Sequence, residues 1–425
     1  TCKVLAKEQK KTGYPKFIGV TTGKNKQDRI LEAIKTVNGA IKIKGSVQSL
    51  DPVVQENMKR KNISQHQIVD LALKSAETGA DAISEVILGL PGDTKDKHFF
   101  TLKTLIDNAF NKIVMYQLMM LPGTEMDLNS TRKKYKMETR FRVIPRCFGV
   151  YEVLGKKFSI AEIEEICVSN STLSFDDYLE CRKMNVITEV FFNDGLFEGV
   201  YFLLRKLNIP VWDWLIKIYE NSKDKRFSKV NKFLEDFAED TKNELWTNFD
   251  ELKKFTDDPG IIKKYINGDL GSNLILKYKS RAYTWDLEGV ADVAIFTTKQ
   301  LLNEKAINIP DISEFIDDLI NYYKCQRQEI FEASPSVKRE FKFDIDKFIV
   351  MKNSTDKEIG LEKFKYKSGR VLDFKLNQFQ MEQMKLYKGT FGATLDGITK
   401  TWARLDVKKF LRSTANKDLA DNRAV

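Results

Sequence analysis

Two β-prone runs that each lead straight into a helix start constrain this chain more than any other feature. The first, Lys44-Gly-Ser-Val-Gln-Ser-Leu50, ends in polar residues and is followed by Asp51-Pro52, a good helix start. The second, Glu85-Val-Ile-Leu-Gly-Leu-Pro-Gly92, is apolar, ends in a Gly-Leu-Pro-Gly turn and is followed by Asp93 and Thr94. Strands that feed helices imply a parallel sheet, because parallel neighbours need a crossover connection. In such sheets ligands gather at the carboxyl ends of the strands, where both clusters fall. An active site in this chain is expected there.

The same alternation extends to either side. Residues 1–12 read as a Lys-rich helix stopped by Gly13, with Pro15 soon after. Residues 16–22 read as a strand with its turn at 23–25, and 28–37 as a helix with Ile30, Leu31, Ile34 and Val37 on one stripe. Across 41–49 a period of two puts Ile41, Ile43, Gly45 and Val47 on one face and Lys42, Lys44, Ser46 and Gln48 on the other. That second face suits a polar cavity better than a core. The helix from Asp51 ends in Lys59-Arg-Lys-Asn62, and Ser64-Gln-His-Gln67 matches a capping box for a helix ending at Gly79. The strand over 82–90 places Glu85, Ile87 and Gly89 on one face, and the helix from Asp93 covers it through Phe99, Leu102, Leu105 and Ile106. Residues 112–121 form a further strand, closed by Pro122-Gly-Thr124. Residues 17–121 thus hold four strands joined by three helical connections, most of a barrel whose beginning is missing.

Past Thr124 the alternation fades. Residues 140–151 are β-prone but cross Pro145, the pattern of an edge or connecting strand. From 159 to about 331 the pattern is helical, with aromatic stripes at Phe191, Phe192, Phe197, Tyr201, Phe202, Trp212, Trp214 and Ile218 that read as helix packing. Phe341, Phe343 and Ile345 alternate, as do Phe364 and Tyr366, and then Leu372, Phe374 and Leu376. Lys367-Ser-Gly-Arg370 reads as the hairpin turn between the last two of these strands, and helices follow from Gln378 and about Leu405. The expected organisation is α/β: a partial barrel over 1–155, a helical domain over 156–331 and a small α+β domain over 332–425.

Composition excludes several classes. A chain of 425 residues needs two or three cores, which 42% hydrophobic content can fill. No run is long enough to span a bilayer and no signal-peptide pattern opens the chain, so a cytoplasmic protein is expected. The five cysteines, at 2, 147, 167, 181 and 325, have no close spacing, which argues against a disulfide framework and a local metal knuckle. Two histidines, His66 and His98, nearly exclude imidazole-rich metal sites and Ser-His triads. The net charge of +10 comes from 70 basic and 60 acidic residues, largely interspersed, which speaks against a nucleic-acid partner.

The candidate residues sit at the strand ends. Gly89-Leu-Pro-Gly92 lets a ligand approach the backbone, and the helix behind it favours anionic groups, though such a turn also serves simply as a turn. Ser46 and Gln48 can hydrogen-bond a ribose or a carboxylate, or cap a strand end. Glu85 can hold a hydroxyl pair or an amine, or pair with Lys44 in a buried salt bridge. Lys24 and Arg60 lie beyond strand ends, where a carboxylate or only solvent meets them. Gln117, Met119 and Arg146 are candidates for the border of a substrate cavity.

In combination these segments are more specific. Ser46-Val-Gln-Ser-Leu-Asp-Pro52, Lys59-Arg-Lys-Asn62, Ile87-Leu-Gly-Leu-Pro-Gly-Asp-Thr94 and Leu118-Met-Met-Leu-Pro-Gly-Thr-Glu125 together resemble the radical S-adenosylmethionine (SAM) superfamily. The subgroup matched is the one with an N-terminal cobalamin (B12)-binding domain. Thr131-Arg132, Thr139-Arg-Phe-Arg-Val-Ile-Pro-Arg146 and Phe148-Gly-Val-Tyr151 look like that subgroup's segment after the barrel.

The resemblance implies a six-stranded, TIM-like (β/α) barrel, here truncated to about its third to sixth strands. It implies a [4Fe-4S] cluster held by a Cys-x-x-x-Cys-x-x-Cys loop, SAM cleaved reductively to a radical, and cobalamin as a further cofactor. By position, Ser46 and Gln48 match residues near the ribose and methionyl part of SAM, and Glu85, Ile87 and Gly89 the motif beside the adenine. Thr21, Lys24, Arg60 and Tyr116 fall to the same cavity. The implied partners are a small-molecule or lipid-like substrate and an electron donor such as flavodoxin or ferredoxin.

Two departures shape the expectation. The cysteine triplet is absent and no cobalamin-binding region precedes the first strand. Cluster ligation needs thiolates at fixed local spacing. The chain therefore reads as a C-terminal fragment of an enzyme of radical methyl transfer or rearrangement, inactive as it stands. The rival readings are a radical SAM methylthiotransferase acting on RNA or protein, and a non-catalytic interaction protein that uses the aromatic helical region.

Overall fold

The computed structural model describes residues 1–20, 27–41, 43–59, 82–108, 110–332, 336–351, 359–405 and 407–414. The chain divides into two compact units, the first made of Thr1–Arg142, Ile163–Asn185 and Leu245–Leu252, the second of the remainder.

In the first unit, α1 (Cys2–Thr12) stops where Gly13 turns left-handed at φ 74°, as its sequence predicts. Helix α2 (Gln27–Thr36) follows. Leu31, Ile34, Val37, Ala40 and Ile41 form a buried cluster, with Cys2, Leu5, Ile18 and Ile30 packed against it. The apolar stripe of α2 thus covers the start of the sheet, and Cys2 is part of that packing. Strand β1 (Ile43–Lys44) is brief. It leads to α3 (Pro52–Asn57), whose N-cap Asp51 accepts from the Val54 amide.

Strand β2 (Ala82–Leu88) feeds α4 (Lys95–Asp107), which Thr94 caps by accepting from the Lys97 amide. Strand β3 (Lys112–Gln117) lies beside β2, and the sheet order is β1-β2-β3 with both pairings parallel. Single parallel bridges, Ile18 to Ile41 and Gln48 to Val86, extend it, and an antiparallel bridge joins Met119 to Ile166. The expected parallel α/β arrangement is present. Of the strand expected over 16–22, the described residues 16–20 contribute one bridge, the helix over 64–79 lies outside the described residues, and the described sheet is open.

A short helix, α5 (Asn129–Lys134), precedes β4 (Glu138–Val153) and β5 (Lys156–Ser169), which pair with each other. The helical pattern expected from 159 therefore begins later, with α6 (Phe175–Phe191). Ile160, Ile163 and Ile166 repeat every three residues and imitate a helix, but pairing with β4 decides the conformation.

The second unit is mainly helical. Phe191, Phe197, Tyr201 and Trp214 meet ring to ring, with centroids 5.8 to 6.0 Å apart, so the aromatic stripes are packing, as expected. Strands β6 (Ser336–Phe343), β7 (Lys365–Lys375) and β8 (Ser413–Thr414) form a three-stranded antiparallel sheet. Lys367-Ser-Gly-Arg370 is not a turn, because β7 runs straight through it. Gly369 lies beneath the exposed Glu340 side chain of the paired strand, which a Cβ there would push aside. Ile345 begins a short helix, Ile345–Val350; among the described residues the last α-helix is Leu395–Trp402, and the helix expected from about 405 is a single 3-10 turn, Val407–Phe410. No helix among the described residues is long and apolar enough to cross a membrane.

Candidate functional site

Strand parity builds the site. Along β2 burial alternates, with Ala82, Ser84, Val86 and Leu88 inside and Ile83, Glu85 and Ile87 half-buried on the opposite face. Ser84 Oγ donates to Gly45 O at 2.8 Å and locks the inner face. On the other face Ser46 Oγ donates to Glu85 Oε2, the contact that joins the two strand-end motifs. The Gln48 amide donates to Glu85 O at 2.8 Å, and the Ile87 amide to Gln48 O at 2.9 Å. In register Ile87 pairs with Tyr116, whose ring is 50% exposed, so Tyr116 falls on the same face.

The structure therefore brings Ser46, Glu85, Ile87 and Tyr116 to one face at one end of a parallel sheet, while Gln48, at the same end, bridges to Val86 of the buried face. Thr21, Lys24 and Arg60 lie outside the described residues. Gln117 accepts from Tyr178 Oη at 2.6 Å, Met119 is 39% exposed, and Arg146 belongs to the second unit.

Gln48 has a left-handed backbone, φ 63°, which for a residue with a Cβ costs about 1–2 kcal/mol. Its Oε1 is buried and accepts no hydrogen bond from the described residues. A buried acceptor without a donor is costly. Strain and an unmet acceptor thus coincide on one residue at this strand end.

Gly89 has φ 90°, and a Cβ there would come within 3.1 Å of Cys167 O. Close approach of a neighbouring strand is thus sufficient reason for this glycine. The loop that follows, Leu90 to Asp93, is buried throughout. Sequence reasoning missed the residues that hold it: Asn57, Asn170 and Thr172 come from distant segments, and no local pattern marks them.

Two buried titratable groups flank the loop. Burial pushes the Asp93 carboxyl up to about 7, against the pull of the Thr94 and Gly89 amides and of Lys97. Burial holds His98 down to about 4, opposed by its Nε2 bond to Asn185 Oδ1 at 2.8 Å. Between about pH 4 and 7 folded Asp93 keeps a proton that the unfolded chain releases, so its contribution to stability falls as pH rises. Between about pH 4 and 6.5 unfolded His98 takes a proton that the folded state refuses, so its contribution rises with pH. The two slopes, each roughly 1.4 kcal/mol per pH unit at most, oppose each other. Asp93→Asn is expected to leave the His98 slope alone, so urea unfolding of the variant should steepen with pH from 4 to 6.5. An unchanged pH profile would contradict the assignment.

The cysteines do not fit an iron–sulfur cluster. Cys167, Cys181 and Cys325 lie apart in the sequence and are buried, and burial pushes Cys167 up to about 12, Cys325 up to about 11 and Cys181 also well up. Cys147 is exposed and Cys2 is in the α1–α2 packing. Among the described residues no group of three His, Cys, Asp or Glu could hold a metal ion.

No protein-family model matches this chain. Two characterised proteins do. The 2-(S-pantetheinyl)-carbapenam-3-carboxylate methyltransferase of Streptantibioticus cattleyicolor is 28% identical over 183 residues, 42% of this chain and 26% of that protein. The cobalamin-dependent radical SAM methyltransferase TokK of Streptomyces tokunonensis is 27% identical over 180 residues, 41% of this chain and 26% of that protein. The match thus spans about a quarter of each relative's length. Both relatives are methyltransferases by name, and the second is named as cobalamin-dependent and radical SAM.

Proposed function

We propose that this chain is part of a cobalamin-type radical SAM methyltransferase and that the exposed face at the ends of β1, β2 and β3 binds SAM. The observation behind this is the joined pair Ser46–Glu85 on the half-buried face at the carboxyl end of a parallel sheet, with Gln48 at the same strand end. The low-identity likeness to two methyltransferases supports the reaction class.

In this reading Gln48 Oε1 takes a donor from the ribose hydroxyls or the methionyl ammonium. The Ser46–Glu85 pair supplies polar contact beside it. Ile87 and the Gly89 backbone give the adenine an apolar edge, and Tyr116 borders the same space. Thr21, Lys24 and Arg60 belong to the proposal as further contacts. Bound SAM supplies an activated methyl group on its sulfonium.

The cysteines of this chain do not provide for a [4Fe-4S] cluster, so the reading requires those thiolates, and a cobalamin site, from sequence outside these 425 residues. A truncated barrel, the three-region organisation, a small-molecule substrate and a flavodoxin- or ferredoxin-type donor belong to the same proposal. The test is an anaerobic assay of the complete protein with a strong reductant. Reductive cleavage of SAM is expected, and its absence from the reconstituted enzyme would overturn the reading.

A further inference from the structure

Every carbonyl of the loop after β2 is held by a side chain. Asn170 Nδ2 donates to Gly89 O at 3.4 Å and to Leu90 O at 3.1 Å. Asn57 Nδ2 donates to Pro91 O at 3.0 Å, and Lys97 Nζ to Gly92 O at 2.9 Å. Thr172 Oγ donates to Asp93 O at 2.6 Å. Five consecutive carbonyls thus accept from four side chains drawn from three separate segments.

A turn of this length holds its shape with one or two backbone bonds. This loop has its own, from the Asp93 amide to Leu90 O at 2.9 Å. The additional donors are more than a turn requires.

The orientation of both amides is fixed by what their oxygens accept. Asn170 Oδ1 takes the Thr172 amide at 2.9 Å and the Leu173 amide at 3.1 Å. Asn57 Oδ1 takes Tyr135 Oη at 3.2 Å. Oxygen accepting from these donors leaves only the NH2 side for the loop. Asn170 is 7% exposed, so its bonds form away from competing water. Gly92 adds a steric latch, because a Cβ there would strike Asn57 Nδ2.

We propose that Asn57 and Asn170 are positioning residues that fix the loop over 89–93 as the rigid rim of the SAM site, so that SAM binding does not have to order it. The inference rests on the SAM reading above. Loops left to order on binding lower affinity by the cost of ordering them. A clamped rim removes that cost in advance.

The test uses Asn57→Ala, Asn57→Asp and Asn170→Ala in the whole chain. S-adenosylhomocysteine affinity is read by calorimetry, and amide exchange over 89–94 by mass spectrometry. Asn57→Asp keeps the acceptor for Tyr135 and turns the donor to Pro91 O into a repelling oxygen, so it reports the clamp where Asn170→Ala fails to fold. Each variant is expected to speed exchange in the loop and weaken binding about fivefold or more. Saturating ligand should restore slow exchange. Faster exchange with unchanged affinity would overturn the proposal and leave the asparagines purely structural. A wild-type chain that binds no S-adenosylhomocysteine, yet shows the exchange effect, would instead remove the SAM reading and the rim assignment with it.

Discussion

Replacing Ser46 and Gln48 together with alanine is expected to weaken S-adenosylhomocysteine binding about 30-fold while leaving the sheet intact. The size follows from two lost polar contacts at roughly 1 kcal/mol each, where 1.4 kcal/mol is tenfold. Ser46 is the donor to Glu85, so its loss leaves a half-buried carboxylate without that partner. Gln48 contributes an acceptor that no described residue satisfies, so removing it should cost the free protein little. The backbone bonds of Gln48 to Glu85 and Ile87 survive both changes, because they use main-chain atoms only. Calorimetry gives the affinity and thermal unfolding gives the control. Equal affinities for the variant and the parent would move the site elsewhere.

The largest stability effect is expected far along the chain. Lys279 is 3% exposed and its Nζ lies 3.1 Å from Glu189 Oε1 and in contact with Asp194 Oδ2. Burial works against its charge, but the two carboxylates outweigh burial and hold the ammonium above its ordinary range. Lys279→Met keeps the volume and removes the buried countercharge that Glu189 and Asp194 share. Breaking a buried pair from one side costs about 3–5 kcal/mol. A chain of two units need not unfold in one step, so the readout is hydrogen exchange in the helix Leu274–Tyr283. Adding Glu189→Gln and Asp194→Asn should recover part of the loss. A single variant costing less than about 1 kcal/mol would contradict the buried-pair account.

Much of this was legible in the residues because it is local. Thr94 and Asp51 cap the helices that their positions announce, and Gly13 ends the first helix. The period of two along 82–88 correctly separates Glu85 and Ile87 from the buried face. The contact of Ser46 with Glu85, across 39 positions of sequence, is not among the readings the residues offered, which had Lys44 as the partner of Glu85.

What the residues did not announce depends on distant partners. The clamp through Asn57, Asn170 and Thr172 has no local signature, because an asparagine in a polar segment reads as a turn or a cap. The strand β5 was hidden by isoleucines at helical spacing, and its pairing with β4 outweighs that preference. Gly369 looked like a turn residue and is instead a strand residue beneath a neighbouring glutamate. In each case a contact from elsewhere in the chain, which no window of sequence contains, decides the local structure.

The most direct test of the central claim is a co-crystal structure with S-adenosylhomocysteine. The account predicts density at the carboxyl ends of β1, β2 and β3, with a ligand donor within hydrogen-bond reach of Gln48 Oε1 and the adenine beside Ile87 and the Gly89 backbone. A bare strand end, or a ligand bound only within the helical second unit, would contradict it.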